Sequence, residues 1–159
     1  MLNPRSESLK TLLDMFTYAR PAGSATEQVF INRFIAPLSP TQDPYGNLHV
    51  TIGESPIIWS CHTDTVHRAE GRQTIHVDGN MIRLSKRSKR TSACLGADDT
   101  AGVWLCAEMI KAGVPGHYIF HYGEEIGGRG SSDLAYHAPH LLDGAKYAIA
   151  FDRQGYDEV

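Results

Sequence analysis

The sequence predicts a single α/β layered domain, and three observations carry that reading. Helical and extended hydrophobic periodicities alternate along the chain in the order α, α, β, β, hairpin, α, β, α, β, with no repeat, linker or second domain. Three apolar strand segments run directly into acidic or histidine residues. The 159 residues are 42% hydrophobic and 21% charged, the balance of an ordinary globular chain, and a chain of about this size buries roughly two thirds of its surface without needing a disulfide or a metal to fold.

Each element has its own cause. Leu9, Leu12, Leu13 and Phe16 recur at i, i+3, i+4 and i+7, which gives a short helix one apolar face. The stretch PAGSATEQ breaks it. Ser24 and Glu27 have the spacing of a capping box, and Phe30, Ile31, Phe34 and Ile35 form the stripe of a second helix that ends before Pro37. After Pro40 the passage TQDPYGN is rich in turn formers. NLHVTI and PIIWSC, short and set between Gly and Pro, read as adjacent strands. TIHV and MIRL flank Asp78-Gly79-Asn80, a hairpin signal because Gly supplies the positive φ of the turn. Residues 100–112 are helical, with Val103, Cys106, Ala107 and Ile110 on one face, Gly113 suited to the C-terminal cap and Pro115 blocking continuation. HYIFHY and YAIAF read as two buried strands, separated by a Gly-rich turn and a helix start led by Ser131.

Composition excludes several function classes. Fifteen Lys and Arg against eighteen Asp and Glu leave a formal charge of −3, so charge gives no support to a nucleic-acid partner. No apolar run approaches the roughly 20 residues of a membrane span, and MLNPRSESLK lacks the apolar core of a signal peptide; a cytoplasmic protein without a membrane partner is expected. Cys61, Cys94 and Cys106 are an odd set without CxxC spacing, and Cys61 and Cys106 read as packing residues. The basic run RLSKRSKR at 83–90 reads as a solvated loop after the hairpin. Gly127, Gly128 and Gly130 precede Ser131 without the lysine of a phosphate loop, so they read as a turn into a helix. His62 and His67 do not form an HExxH helix, and Ser60, Ser131 and Ser132 lack a GxSxG context. His49, His76 and His117 lie in or beside strands and read as surface or satisfied core residues.

The remaining polar residues fall at strand ends. IIWSC leads into His62-Thr63-Asp64, YIFHYG into Glu124-Glu125, and YAIAF into Asp152. GADDTAG sets Asp98 and Asp99 at the start of a helix, where the dipole favours acids. Ligands of open α/β sheets gather beyond the carboxyl ends of the strands, so these distant residues can meet at one rim. Together they are the mixed N and O donors that zinc, cobalt or manganese accepts. Successive side chains of an extended segment point to opposite sides, so one of the paired glutamates can ligate while the other moves protons. His121, three residues before Glu124, is a further candidate to support the rim.

The ordered set SCHTDT, LGADDTAG, GEEIGGRGS and AFD resembles the co-catalytic zinc exopeptidases: peptidase T, bacterial leucine aminopeptidases of the secreted type, and related deacylases and carboxypeptidases. The resemblance covers roughly residues 24–152 and includes PYGNL. It implies a three-layer α/β/α fold with a central mixed, largely parallel sheet. It implies two zinc ions, with cobalt or manganese as alternatives. His62 and Asp152 would ligate the first ion, Asp98 would bridge, and Glu125 would ligate the second. Asp64 would fix the His62 imidazole, Asp99 would follow Asp98 across what in this group is often a cis peptide, and Glu124 would be the general base. The implied activity is hydrolysis of a peptide amide bond by a metal-activated water, of aminopeptidase or dipeptidase type, with carboxypeptidase and N-deacylase action on an N-acyl amino acid left open.

One position departs from the pattern. The family has a fifth ligand, a His late in the chain, and none follows Asp152 here; His137 and His140 precede it and are the available substitutes. The expectation is therefore a single catalytic-type domain over 1–159 without a lid domain, either incomplete at its C-terminal end or a natural short form with one weakened metal position. A non-catalytic relative, serving as a metal-binding or interaction module, is the alternative. An uncovered strand edge would favour a homo-oligomer.

Overall fold

A computed structural model describes residues 6–152. The elements in chain order are α1 (Glu7–Met15), β1 (Tyr18–Ala19), α2 (Ala25–Phe34), β2 (Thr41–Gln42), β3 (Leu48–Ile52), β4 (Ile57–His62), β5 (Gly71–Arg72), β6 (Ile75–Asp78), β7 (Met81–Leu84), α3 (Ala97–Lys111), β8 (Gly116–His121), α4 (Arg129–His137) and β9 (Tyr147–Ala150). The central sheet is mixed, in the order β2-β3-β8-β4-β9. β4 runs parallel to β8 and β9, and β3 and β2 extend the sheet antiparallel on the far side of β8. β6 and β7 form a separate hairpin, and β1 pairs with β5.

Alternation along the strands builds two cores. Leu48 and Val50 of β3, Cys61 of β4, and Tyr118 and Phe120 of β8 face Met15, Phe30, Ile35, Val103, Cys106 and Ile110 from the α1, α2 and α3 side. Ile58 and Ile119, on the opposite face, pack against Leu134 and Ala138 at α4. Helices on both faces make the three layers that the resemblance implies. No helix among the described residues is long and apolar enough to cross a membrane.

The helix signals operate locally. The Ser24 hydroxyl accepts the Glu27 N–H at 3.1 Å, while the Glu27 carboxylate reaches past the cap to accept the Gly23 N–H at 2.6 Å. At the end of α3 the Val114 N–H donates to the Met109 carbonyl and the Gly113 N–H to that of Ile110, with Gly113 at φ +72. This is the Schellman arrangement, and it explains why Gly stands there. In the turn before β3 the Asp43 carboxylate accepts the N–H groups of Tyr45 and Asn47, both at 2.9 Å, and the Asn47 amide donates to the Gly130 carbonyl at 2.9 Å. The basic run at 83–90 starts within β7 and exposes Arg83, Lys86, Arg87, Lys89 and Arg90, with Leu84 and Ser85 half-buried and Ser88 buried.

One element differs from its expectation. YAIAF reads as a buried strand, yet β9 is exposed along its length, with Tyr147 63% and Ile149 41% exposed. Among the described residues β9 lies at the edge of the sheet and pairs with β4, and its apolar composition goes with strand propensity. Phe151, just beyond it, is held by stacking on Trp59 with ring centroids 5.8 Å apart.

Gly130 locks α4 against the sheet. A Cβ there would lie 2.7 Å from the Tyr122 carbonyl oxygen and 2.9 Å from its nitrogen, both backbone atoms that cannot swing away. Gly130→Ala is therefore expected to cost about 1–3 kcal/mol of stability, read as a lower urea midpoint. An unchanged midpoint would contradict this packing.

Candidate metal centre

The carboxyl ends of three neighbouring parallel strands supply most of the site. β4 ends on His62, which lies in register with His121 at the end of β8. The turn after β8 then presents Glu124 and Glu125. β9 ends two residues before Asp152, and the Phe151 N–H, donating to the Ser60 carbonyl at 2.9 Å, carries the parallel pairing up to it. The fourth contribution comes from α3. Asp98 and Asp99 have non-helical φ/ψ, so regular helix begins at Thr100 as the sequence predicts, and the Asp98–Asp99 peptide is cis. The two carboxylates diverge. The Asp98 side chain is 65% exposed at the rim, whereas Asp99 is buried and accepts the His62 N–H at 3.1 Å and the Gly102 N–H at 2.9 Å.

His62 is buried at the centre. Its Nδ1 lies 3.1 Å from the Asp64 carbonyl oxygen and 3.4 Å from Asp64 Oδ1. A carbonyl only accepts, so Nδ1 carries hydrogen and Nε2 faces the rim carboxylates. Nε2 is 2.9 Å from Asp98 Oδ1 and 3.9 Å from both Glu124 Oε2 and Asp152 Oδ2. Asp64, fully buried, accepts the Glu124 N–H on Oδ1 and the Glu125 N–H on Oδ2, each at 3.1 Å. One carboxylate thus orients the imidazole and ties the glutamate turn to it.

The donor set fits a divalent cation. His62, Asp98 and Asp152 each offer one ligand atom, all within 4.8 Å of one another. Beside them Glu125 Oε1 is buried without a hydrogen-bond partner, an unusual condition for a carboxylate oxygen unless something positive is to meet it. The protonation balance points the same way. Burial works against a charged His62, but Asp64, Asp99 and Asp98 outweigh it and raise the imidazole to about 9. Burial lifts Asp99 to about 7, and burial followed by the Asp98 charge lifts Glu125 and Asp152. Asp64 goes down, because hydrogen bonds from His62 and the Glu124 N–H overcome its burial. The rim carries more negative charge than the protein neutralises there.

A pH dependence follows for the metal-free protein. Asp99, raised from 3.8 to about 7, opposes folding increasingly as pH climbs through that interval. His62, raised from 6.5 to about 9, contributes stability that is complete below 6.5 and lost as pH passes 9. Below pH 6.5 the depressed His121 works in the opposite sense, so the melting temperature in the presence of EDTA is expected to fall from pH 6.5 to pH 9.5, and added Co2+ at pH 7 is expected to raise it. A melting temperature flat across that range would contradict the charge arrangement.

Other sequence candidates lie elsewhere. His121, pushed down to about 4 by burial and then by His49, donates from Nδ1 to Asn47 Oδ1 at 3.1 Å and is not among the gathered ligand atoms. His137, exposed on α4, stacks on Tyr45 at 5.8 Å; neither it nor His140 joins the His62 group among the described residues. Sequence reading missed Arg20, Thr63 and Thr100, all buried beneath the site, and gave Glu27 a capping role alone, although its carboxylate also accepts the Thr63 hydroxyl at 2.6 Å. The available signal was a charged residue directly after the apolar pair Tyr18–Ala19.

Solved structures share this architecture. A tripeptidase from Staphylococcus aureus subsp. aureus Mu50 matches 93% of the chain with a TM-score of 0.73 at 23% identity. Aminopeptidase PepT from Bacillus cereus ATCC 10987 matches 93% with a TM-score of 0.69 at 22% identity. The chain shares the fold of these two peptidases. The aminoacylhistidine dipeptidase of Vibrio alginolyticus shares this fold over 96% of the chain, with a TM-score of 0.64 at 14% identity. The chain spans 43% of each of the first two structures and 34% of the third. No protein-family model and no curated protein sequence matches it.

Proposed function

We propose that the protein is a metal-dependent exopeptidase of aminopeptidase or dipeptidase type. The observation that carries this reading is the convergence of His62, Asp98 and Asp152 with the Glu124 carboxylate 3.9 Å from His62 Nε2, at the carboxyl ends of β4, β8 and β9. The peptidase names of the solved structures that share the fold agree with it.

In this reading His62, Asp98 and Asp152 would hold one zinc ion, and Asp98 and Glu125 would contribute ligands to a second. Bound zinc supplies Lewis acidity, acidifying a water and polarising the scissile carbonyl. Glu124 takes the proton from the attacking water on its carboxylate and returns it to the leaving amine, so no covalent enzyme intermediate is required. Asp64 keeps hydrogen on His62 Nδ1 and fixes the backbone from which the base projects. Asp99 pins the His62 backbone to α3.

The test is a metal-loaded sample assayed on dipeptides, tripeptides, aminoacyl amides and N-acyl amino acids. Release of an N-terminal amino acid identifies an aminopeptidase or dipeptidase. Cleavage of the acyl substrates alone assigns the core to deacylase or carboxypeptidase chemistry. Stoichiometric metal uptake with no turnover on any of the panel would replace the enzyme reading with that of a metal-binding module.

A further inference from the structure

Arg20 has no part in this chemistry, yet it is completely buried. Its backbone pairs with the segment after β4: the Arg20 N–H donates to the Thr65 hydroxyl at 3.3 Å, and the Thr65 N–H donates to the Arg20 carbonyl at 3.1 Å. Its side chain spans two elements. Nε donates to the Thr63 carbonyl at 2.6 Å and Nη1 donates to the Thr100 hydroxyl at 2.8 Å, which in turn donates to the Gly96 carbonyl. The guanidinium carbon sits 4.1 Å over the Phe30 ring, and Nη2 is buried without a partner.

The placement of these contacts gives them meaning. Thr63 directly follows His62, and Thr100 directly follows Asp99. Burying a guanidinium costs several kcal/mol, so an apolar side chain would fill the space at lower cost. Burial draws the group down to about 10, so it stays charged at neutral pH, and the acids offsetting that pull are Asp99, Glu27 and Asp64 in that order. Only a rigid fork reaches two acceptors on two different elements; the point charge of lysine does not.

We infer that Arg20 is a positioning residue of the metal centre, a buried fork that joins the exit of β4 to the entrance of α3 and holds His62 and Asp98 in binding geometry before an ion arrives. The inference rests on the metal-centre reading given above. Its test therefore has one readout with metal and one without. Amide hydrogen exchange of the metal-free protein reads the clamp alone, and Co2+ titration of the whole chain reads its consequence.

In Arg20→Lys, shown to be folded by circular dichroism, the His62 and Thr63 amides are expected to exchange about 10-fold faster or more, with Val50 and Tyr118 unchanged. The Co2+ dissociation constant is expected to rise roughly 10–100-fold. Arg20→Met should weaken Co2+ binding as well. If Arg20→Lys matches wild type and only Arg20→Met weakens binding, charge alone suffices and the fork is overturned. Should both Arg20 variants misfold, Thr100→Val removes one acceptor and is expected to act in the same direction, with Thr100→Ser restoring affinity. Unchanged exchange, or Co2+ affinity within about twofold of wild type in Arg20→Lys and Thr100→Val, overturns the proposal. A wild-type protein that takes up no Co2+ overturns the metal-centre reading instead, and the exchange rates still decide the clamp.

Discussion

Glu124→Gln is expected to lower kcat for peptide hydrolysis by roughly 10^2–10^4-fold while leaving the fold and metal uptake intact. The amide has nearly the same shape but cannot take a proton from water. Its side chain is 43% exposed, so no cavity or buried orphan results, and the bond from its backbone N–H to Asp64 does not depend on the side chain. Stability should stay within about 0.5 kcal/mol of wild type. Co2+ uptake measured beside kcat separates the roles: loss of both would make Glu124 a ligand, and retention of activity would remove it as the base.

Asp64→Ala is expected to be the most destabilising substitution at the site, by about 3–5 kcal/mol. Two groups lose their acceptor at once, the N–H groups of Glu124 and Glu125, and the His62 imidazole, still bonded to the Asp64 carbonyl, loses the carboxylate charge 3.4 Å away. All lie around a fully buried carboxylate, where water cannot replace it without opening the structure. Asp64→Asn keeps the volume and one acceptor oxygen, so an intermediate loss is expected. Urea unfolding in EDTA checks both, and a loss below about 1 kcal/mol for Asp64→Ala would mean that the glutamate turn is held by other contacts. With metal present the same substitution should weaken affinity roughly 10–100-fold, since the imidazole loses the neighbouring carboxylate and the glutamate turn loses its anchor.

The gathering of His62, Asp98 and Asp152 was legible because strand ends converge. His62 and Asp152 each follow a recognisable apolar run whose parallel strands bring their carboxyl ends to one edge, and Asp98 stands at a recognisable helix start. The start of regular helix at Thr100 was legible from local pattern as well. Contacts between segments far apart in sequence left no comparable trace. Arg20 reaches Thr63 and Thr100, 43 and 80 residues away, and no periodicity encodes either contact. Strands of two residues, such as β1, β2 and β5, are too short to show alternation. β9 has the composition of an interior strand, and only its place in the sheet order reveals its exposure.

The pairing of β4 with β8 has a consequence for how this chain tolerates change in length. Side chains alternate between faces, so deleting one residue within β4 while keeping its paired end would exchange the two sides. Cys61, now in the core, would take the place of Ser60 on the opposite face, and the imidazole would turn inward among Tyr118, Phe120 and Val103. Such a protein could keep its sheet and lose its chemistry in a single genetic step. The β6–β7 hairpin lies off the central sheet, so lengthening its tip shifts no residue of the rim. Variation in length should therefore accumulate in the hairpin and be purged from β4.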